Sequence, residues 1–235
     1  MPCRRNRCGR PEVAEKLEGA AGAPVRGMGG TIGGREGEYL RALADTALRI
    51  DPTEIAQAVE LLWEGLQRDA AIWVIGNGGS ASTASHFAAD LAKSTVVEGR
   101  RRFRALSLAD NPAWMTALTN DVGFEHLFSE PLRNVMRPGD VLVVFSVHGG
   151  AGSDRAGEWS QNLLRAVEVA RREFKSPTLA FVGFDGGPLR RLADVSVWVP
   201  AESTPLVESL HVALHHAVCG ALRERLEASE APPCG

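Results

Sequence analysis

Residues 73–90 read WVIGNGGSASTASHFAAD, and this stretch decides the fold class. An apolar run ends in glycines, and small residues at helical spacing follow. The order predicts a buried strand, a tight turn and a helix, which together form one strand–helix unit of a parallel sheet. Glycines let backbone N–H groups approach an oxyanion, and a helix N-terminus adds partial positive charge. We therefore predict an anion site at Asn77, Gly78, Gly79 and Ser80.

The rest of the chain continues this alternation of strands and helices. Apolar runs predict strands at 71–75, 103–108, 141–145, 178–182 and 195–199. Helical spacing predicts helices at 38–48, 53–68, 80–93, 112–120, 124–136, 158–174, 188–192 and 204–226. Short apolar strands separated by helices indicate an α/β fold, a single domain with a five-stranded parallel sheet and helices on both faces. We expect this domain at 37–228, after a poorly ordered glycine-rich arm at 1–36 and before a tail at 229–235.

Composition excludes several classes of protein. The chain has 235 residues, of which 44% are hydrophobic and 23% charged, and its net charge is −3. We expect no nucleic-acid partner because a broad basic surface is missing, and no membrane partner because no apolar run approaches about 20 residues. The cysteines at 3, 8, 219 and 234 fit neither a disulfide framework nor a CxxC zinc site. This scatter and the lack of a secretory signal pattern predict a cytoplasmic location.

A second loop rich in small residues, SVHGGAGSDRAG, follows the third predicted strand at 146–157. Ligands in open parallel sheets bind beyond the carboxyl ends of the strands. Two anion-type loops at neighbouring strand ends therefore indicate a phosphate held on one side of a sugar. The alternatives are a helix-capping turn for the first loop and a flexible connection for the second.

Histidines and carboxylates stand out on two predicted helices. His86 and Asp90 are four residues apart and share a helix face. The last helix carries one carboxylate and three histidines among apolar residues: Glu208, His211, His215 and His216. Imidazoles beside carboxylates suit acid–base chemistry or metal binding, although a lone pair such as His86 and Asp90 is also common as a surface contact. Whether His215 or His216 faces the site is left open.

The first glycine loop also nearly satisfies a dinucleotide-binding fingerprint. Gly76, Gly78 and Ala81 fit G-x-G-x-x-G/A, but the acidic residue expected about 20 positions later is not clearly placed, since Glu98 comes too early. The chain also lacks GxxxxGK[ST]. We therefore predict no nucleotide cofactor. A dinucleotide-dependent oxidoreductase remains as a weaker hypothesis for the function.

Three motifs together resemble the sugar isomerase (SIS) domain family, and in particular its phosphoheptose isomerase subfamily. They are GNGGSxxxAxHFAxxL, a Ser-led loop after the third strand, and TPxxxxxxHxxxHH in the last helix. The resemblance covers about residues 38–227. It implies a flavodoxin-like sheet and a homotetramer with active sites at subunit interfaces. It also implies conversion of sedoheptulose 7-phosphate to an aldoheptose 7-phosphate through an enediol(ate).

The resemblance also implies roles for residues of the site. Asp90 and His216 would be the catalytic acid–base pair, and His86, Asp90, Glu208 and His216 would hold zinc. Ser80 and Ser146 would hold the phosphate. The full substrate-binding set is Asn77, Gly78, Gly79, Ser80, Asn120, Asp121, Ser146, His148, Ser153, Thr204 and Glu208.

The chain departs from the family pattern in ways that indicate a divergent member. Asp90 stands where the family has glutamate, and Glu208 where it usually has glutamine. The third loop replaces a compact, hydroxyl-rich turn with Val147, His148 and several additional residues. An alternative function is a non-catalytic SIS protein that senses sugar phosphates or binds a replication initiator. Such a protein is expected to lose the acid–base residues.

Overall fold

One five-stranded sheet forms the centre of the protein. The computed structural model describes residues 33–150 and 160–229. The strands are β1 (Ala71–Gly76), β2 (Arg104–Ser107), β3 (Val141–Ser146), β4 (Thr178–Val182) and β5 (Val195–Trp198). All neighbours pair in parallel, in the order β2-β1-β3-β4-β5. This is the flavodoxin-like order of doubly wound sheets. The predicted α/β class with five parallel strands is confirmed.

Eight α-helices connect or flank the strands within the described ranges. They are α1 (Gly34–Ala47), α2 (Pro52–Gln67), α3 (Gly79–Lys93), α4 (Pro112–Asp121), α5 (Ser129–Val135), α6 (Gln161–Arg172), α7 (Leu189–Leu192) and α8 (Thr204–Ala228). Asp51 caps α2 and Asn111 caps α4, each with its side chain accepting a backbone N–H and a proline following it. Both features are typical of helix starts. No helix in the described part of the chain is long and apolar enough to cross a bilayer.

Some predicted boundaries were wrong. The helix expected at 124–136 divides into a 3₁₀ turn at Phe124–His126 and α5. Pro131 lies in the first turn of α5, where its missing N–H is harmless, whereas inside a continuous helix its ring would clash with the preceding turn. Helix α1 begins at Gly34, within the segment assigned to the arm. Residues 1–32, 151–159 and 230–235 lie outside the described ranges, so most of the predicted arm and tail does too.

The core consists of two apolar layers, one on each face of the sheet. Strands β1, β3 and β4 are buried along their whole length. Alternate residues point to opposite faces, so Phe145 joins the layer under α2, α3 and α8, and Leu142 joins the layer under α5, α6 and α7. Phe145 stacks on Phe181 at 4.6 Å between ring centroids. Burial of each such side chain stabilises the fold by roughly 1.5–3 kcal/mol.

A buried aspartate aligns the amino ends of β1 and β3. Asp140 Oδ1 accepts the backbone N–H of Ala71 at 2.9 Å. Its Oδ2 accepts the indole N–H of Trp73 at 3.0 Å and the backbone N–H of Arg137 at 2.9 Å. These bonds satisfy a carboxylate that is only 6% exposed. They help to fix the strand register, which places the loops after β1 and β3 side by side.

We predict that Gly76→Ala destabilises the protein, because the turn after β1 has no room for a side chain. A Cβ at Gly76 would lie 2.6 Å from the backbone carbonyl carbon of Ser80, which cannot move without displacing the start of α3. The expected loss is roughly 1–3 kcal/mol in the free energy of unfolding, as for other overpacked sites, measured by urea denaturation.

Gly220→Ala is the matched control, since Gly220 lies inside α8 with nothing within 4 Å of an added Cβ. This variant should gain about 0.5–1 kcal/mol from helix propensity. Wild-type stability in Gly76→Ala would contradict the explanation.

Candidate active site

The carboxyl ends of β1 and β3 open into one cavity. Its lining is Asn77, Gly78, Gly79, Ser80, Phe145, Ser146, Val147, His148, Ser160, Leu163, Thr204 and Glu208. Most of the predicted substrate-binding residues are therefore brought together. They come from the loop after β1, the loop after β3 and the start of α8, because β1 and β3 are neighbours in the sheet.

The cavity has the chemistry of an anion site. Gly78 has φ 55°, a conformation that favours glycine, and α3 begins directly after it. The N-terminal backbone N–H groups of α3 therefore face the cavity together with the helix dipole. Ser80 and Ser146 add buried hydroxyls, 4% and 5% exposed. A phosphate group is the ligand that these donors suit best.

The first anion loop is tied to α6 by a pair of amides. Asn77 Nδ2 donates to Asn162 Oδ1 at 3.0 Å, and Asn162 Nδ2 donates back to Asn77 Oδ1 at 2.8 Å. Asn162 is fully buried at the start of α6. The sequence analysis missed Asn162, because its partner lies 85 residues away. The pair holds the loop after β1 against the helix that follows the loop after β3.

His148 forms one wall of the cavity from the second loop. Its ring lies 4.1 Å from that of Phe184, centroid to centroid. Phe184 is held in turn by its carbonyl, which accepts the indole N–H of Trp198 at 2.8 Å. His148 is thus positioned to face a bound ligand. Ser153, which was predicted from the same loop, lies outside the described residues.

A second cluster forms where α3 packs against α8. The Oδ2 atom of Asp90 lies 3.4 Å from Nε2 of His86, 3.3 Å from Nε2 of His215 and 3.3 Å from Nε2 of His216. One potential ligand atom from each of the four residues lies within 4.8 Å of the others. Ser94 donates its hydroxyl to the other oxygen, Oδ1 of Asp90, at 2.9 Å. Both His215 and His216 therefore approach Asp90.

The four residues differ in their environments. The side chains of His86 and His216 are 48% and 51% exposed, that of Asp90 is 17% exposed and that of His215 is fully buried. Burial, together with the nearby His216 and His86, lowers the pKa of His215 to about 4, although Asp90 opposes this shift. His215 is therefore neutral near pH 7. Neither of its ring nitrogens has a hydrogen-bond partner, so one lone pair is free to bind a cation.

Glu208 does not join the other three predicted metal ligands in this cluster. It lies eight residues before His216, or about 12 Å along the helix axis. Its carboxylate packs against Gly79, with Cδ 2.8 Å from the position of an added Cβ. In the structure Glu208 therefore belongs to the anion cavity, and His215 occupies the fourth position beside Asp90.

Two further predicted substrate-binding residues lie apart from the cavity of their own chain. Asn120 and Asp121 end α4 and are exposed. The Asn120 amide donates to the Asp121 carboxylate at 2.6 Å. Neither residue lines the cavity. Their predicted contact with substrate is not made within one described chain.

The sheet order and the two loops at the carboxyl ends of β1 and β3 define a member of the SIS-domain proteins. Residues 38–153 match the SIS domain family. The chain is 37% identical over 173 residues to the phosphoheptose isomerase of Geotalea daltonii, covering 74% of this chain and 84% of that protein. Phosphoheptose isomerase GmhA from Neisseria gonorrhoeae superposes with a TM-score of 0.69 and 33% identity, covering 80% of this chain and 94% of that chain. The chain belongs to the phosphoheptose isomerase family.

Another relative is considerably longer. Lincomycin biosynthesis protein LmbN of Streptomyces lincolnensis is 45% identical over 183 residues, which are 76% of this chain but 64% of LmbN. The chain thus spans less than two thirds of that protein. The comparisons confirm the predicted SIS family and the predicted enzyme class, an aldose–ketose isomerase of the phosphoheptose type.

We predict that His211 makes the stability of the protein depend on pH. His211 is buried against Phe145 and Phe181, and burial lowers its pKa from 6.5 to about 4. Between these two values the unfolded chain binds a proton that the folded chain does not. Stability is therefore retained above pH 6.5 and lost as the pH falls towards 4, by about 1.4 kcal/mol per pH unit.

Urea unfolding at pH 7 and pH 5, with chelator present, checks this prediction. His211→Leu lacks the titrating group and should lose less stability than wild type on acidification, by up to about 2 kcal/mol. Equal losses in the two proteins would show that His211 does not contribute.

Proposed function

We propose that the chain isomerises sedoheptulose 7-phosphate to an aldoheptose 7-phosphate, D-glycero-D-manno-heptose 7-phosphate or a stereoisomer. The observation that carries this proposal is that α3 links an anion cavity to an acid–base cluster. Ser80 stands at the start of α3, and His86 follows about 9 Å along the helix axis. This separation suits a sugar with its phosphate at one end and its reacting carbons at the other.

Asp90 and His216 are the proposed acid–base pair. The Asp90 carboxylate removes a proton from C1 of the ketose, the carbon next to the carbonyl, and the electron pair moves to form an enediolate. His216 delivers a proton to C2 while the proton of the C1 hydroxyl passes to the oxygen on C2, so that C1 becomes the carbonyl carbon of the aldose. The hydrogen bond from Ser94 orients the Asp90 carboxylate. Acid–base catalysis by positioned side chains typically contributes 10²–10⁴-fold in rate.

We further propose that the cluster holds one divalent metal ion, zinc, through His86, Asp90 and His216. Metal binding and proton transfer are alternative roles for any one atom of Asp90 or His216, since an atom bound to the ion cannot carry a proton at the same time. Imidazole nitrogens and a carboxylate oxygen are ligands that zinc prefers. The unpartnered nitrogens of His215 beside Asp90 support the presence of a cation. When bound, zinc supplies a Lewis acid that stabilises negative charge on the sugar oxygens.

The proposed assembly is a cytoplasmic homotetramer with sites at subunit interfaces. Leu106 on the edge strand β2 is 61% exposed, and Val122 and Phe124 after α4 are 48% and 43% exposed. We propose that these three side chains belong to one surface that another chain covers, since a contiguous exposed apolar patch marks an interaction site. Asn120 and Asp121 directly precede them in the sequence, so this surface would carry both residues to the site of a neighbouring subunit.

The central experiment incubates the purified protein with sedoheptulose 7-phosphate and identifies the product by NMR. Asp90→Asn and His216→Gln should each lower kcat by about 10²–10⁴-fold, because each removes one proton-transfer group. Asp69→Asn and His126→Gln are the matched controls, because neither residue lines the cavity or belongs to the Asp90 cluster. Both variants should keep wild-type turnover. Near-normal turnover in Asp90→Asn and His216→Gln would contradict the assignment.

The same experiment separates the enzyme from the alternative function. A non-catalytic sugar-phosphate sensor or initiator-binding regulator would bind sedoheptulose 7-phosphate without releasing any aldose. The cluster around Asp90 favours the enzyme, because binding a phosphate alone does not require three imidazoles around one carboxylate.

We predict that Leu106→Lys breaks the assembly, since a charge would be buried at the covered surface. Light scattering during size-exclusion chromatography should show a smaller species, and turnover should fall with it. Leu48→Lys is the control, since Leu48 is 88% exposed and apolar but lies on another part of the chain. A tetramer in Leu106→Lys would place the interface elsewhere.

A further inference from the structure

We propose that His215 is itself a metal ligand, so that the site holds its divalent ion with three imidazoles and one carboxylate. This inference rests on the metal site of the proposed function. It changes the ligand set expected from the sequence, in which Glu208 was the fourth ligand. The geometry of the cluster, the burial of His215 and the position of Glu208 each support it.

The distances around Asp90 match those of a tetrahedral zinc site. Zinc bonds of about 2.0–2.1 Å to nitrogen or oxygen place neighbouring ligand atoms about 3.3 Å apart in a tetrahedron. The three observed separations from Asp90 Oδ2 to the imidazole Nε2 atoms are 3.3, 3.3 and 3.4 Å. All three Nε2 atoms surround one oxygen of Asp90, and one potential ligand atom from each of the four residues lies within 4.8 Å of the others. The arrangement is that of ligands around a shared cation.

Burial alone does not distinguish His215, and His211 shows why. Both histidines are buried in α8, and both have ring nitrogens without a hydrogen-bond partner. His211 faces the rings of Phe145 and Phe181 and has no place in the cluster. His215 faces Asp90, with its ring 4.6 Å from that of His86, centroid to centroid. A buried nitrogen that points at a carboxylate and at other imidazoles is placed to bind a cation.

Glu208 is occupied elsewhere. Its carboxylate packs against Gly79 in the anion cavity, while the cluster forms two turns further along α8. Zinc needs four ligands in a closed site or three with one open position. His86, Asp90, His215 and His216 supply four ligands without Glu208, and a sugar oxygen would join them as a fifth ligand during turnover.

Zinc affinity, measured by competition with a chromophoric chelator, tests the proposal. His215→Leu removes a ligand and should weaken zinc binding at least about 100-fold, more than the loss of a typical outer-shell partner. His211→Leu is the matched buried control, and Glu208→Ala tests the rival ligand. Both should bind zinc within a few-fold of wild type. Unchanged affinity in His215→Leu, or a large loss in Glu208→Ala, would overturn the proposal.

X-ray absorption of the zinc-loaded wild-type protein gives a second measurement that does not require a folded variant. Three imidazoles and one oxygen ligand are expected in the scattering pattern. Two imidazoles with oxygen ligands, or no bound zinc, would overturn the assignment of His215. Neither readout uses sugar turnover, so a failed isomerase assay would leave the metal result intact, and the converse also holds.

Discussion

The packing of α3 against α8 holds the site together, because neither helix carries a complete site alone. Helix α3 supplies His86 and Asp90, and α8 supplies His215 and His216. Phe87 directly follows His86 in α3 and supports this packing. It is fully buried, and its ring is 5.6 Å from that of His215. The apolar core thus places a carboxylate beside imidazoles that a flexible surface would not keep in contact.

The parallel sheet supplies the other half of the site. Because β1 and β3 are neighbours, the turn at Gly78 and the loop at Ser146 open into one cavity. The amide pair between Asn77 and Asn162 keeps these two segments together. A phosphate bound at the start of α3 would leave the far end of its sugar chain directed along that helix towards Asp90. Binding and chemistry are therefore separated along one rigid element, which favours precise positioning of the substrate.

The sequence was sufficient for the parts of the structure that depend on local pattern. The apolar runs predicted all five strands, and the spacing of His86 and Asp90 predicted a shared face. Contacts between distant segments were not predictable, since the partner of Asn162 lies in another strand–helix unit. Glu208 and His215 are seven residues apart in α8, and this spacing alone could not tell which side of the helix meets α3. Tertiary packing decides that question, and it separates the two residues into different parts of the site.

The central claim is that Asp90 and His216 transfer protons at neighbouring carbons of a phosphorylated ketose. Conversion of sedoheptulose 7-phosphate by the wild-type protein in D₂O tests it most directly, with the product analysed by NMR and mass spectrometry. An enediolate formed by Asp90 and protonated by His216 predicts deuterium at C2 of the aldose, because acidic protons on both groups exchange with solvent. An aldose that carries only hydrogen at C2 would show that the same hydrogen moves from C1 to C2, and it would contradict proton transfer by two separate groups.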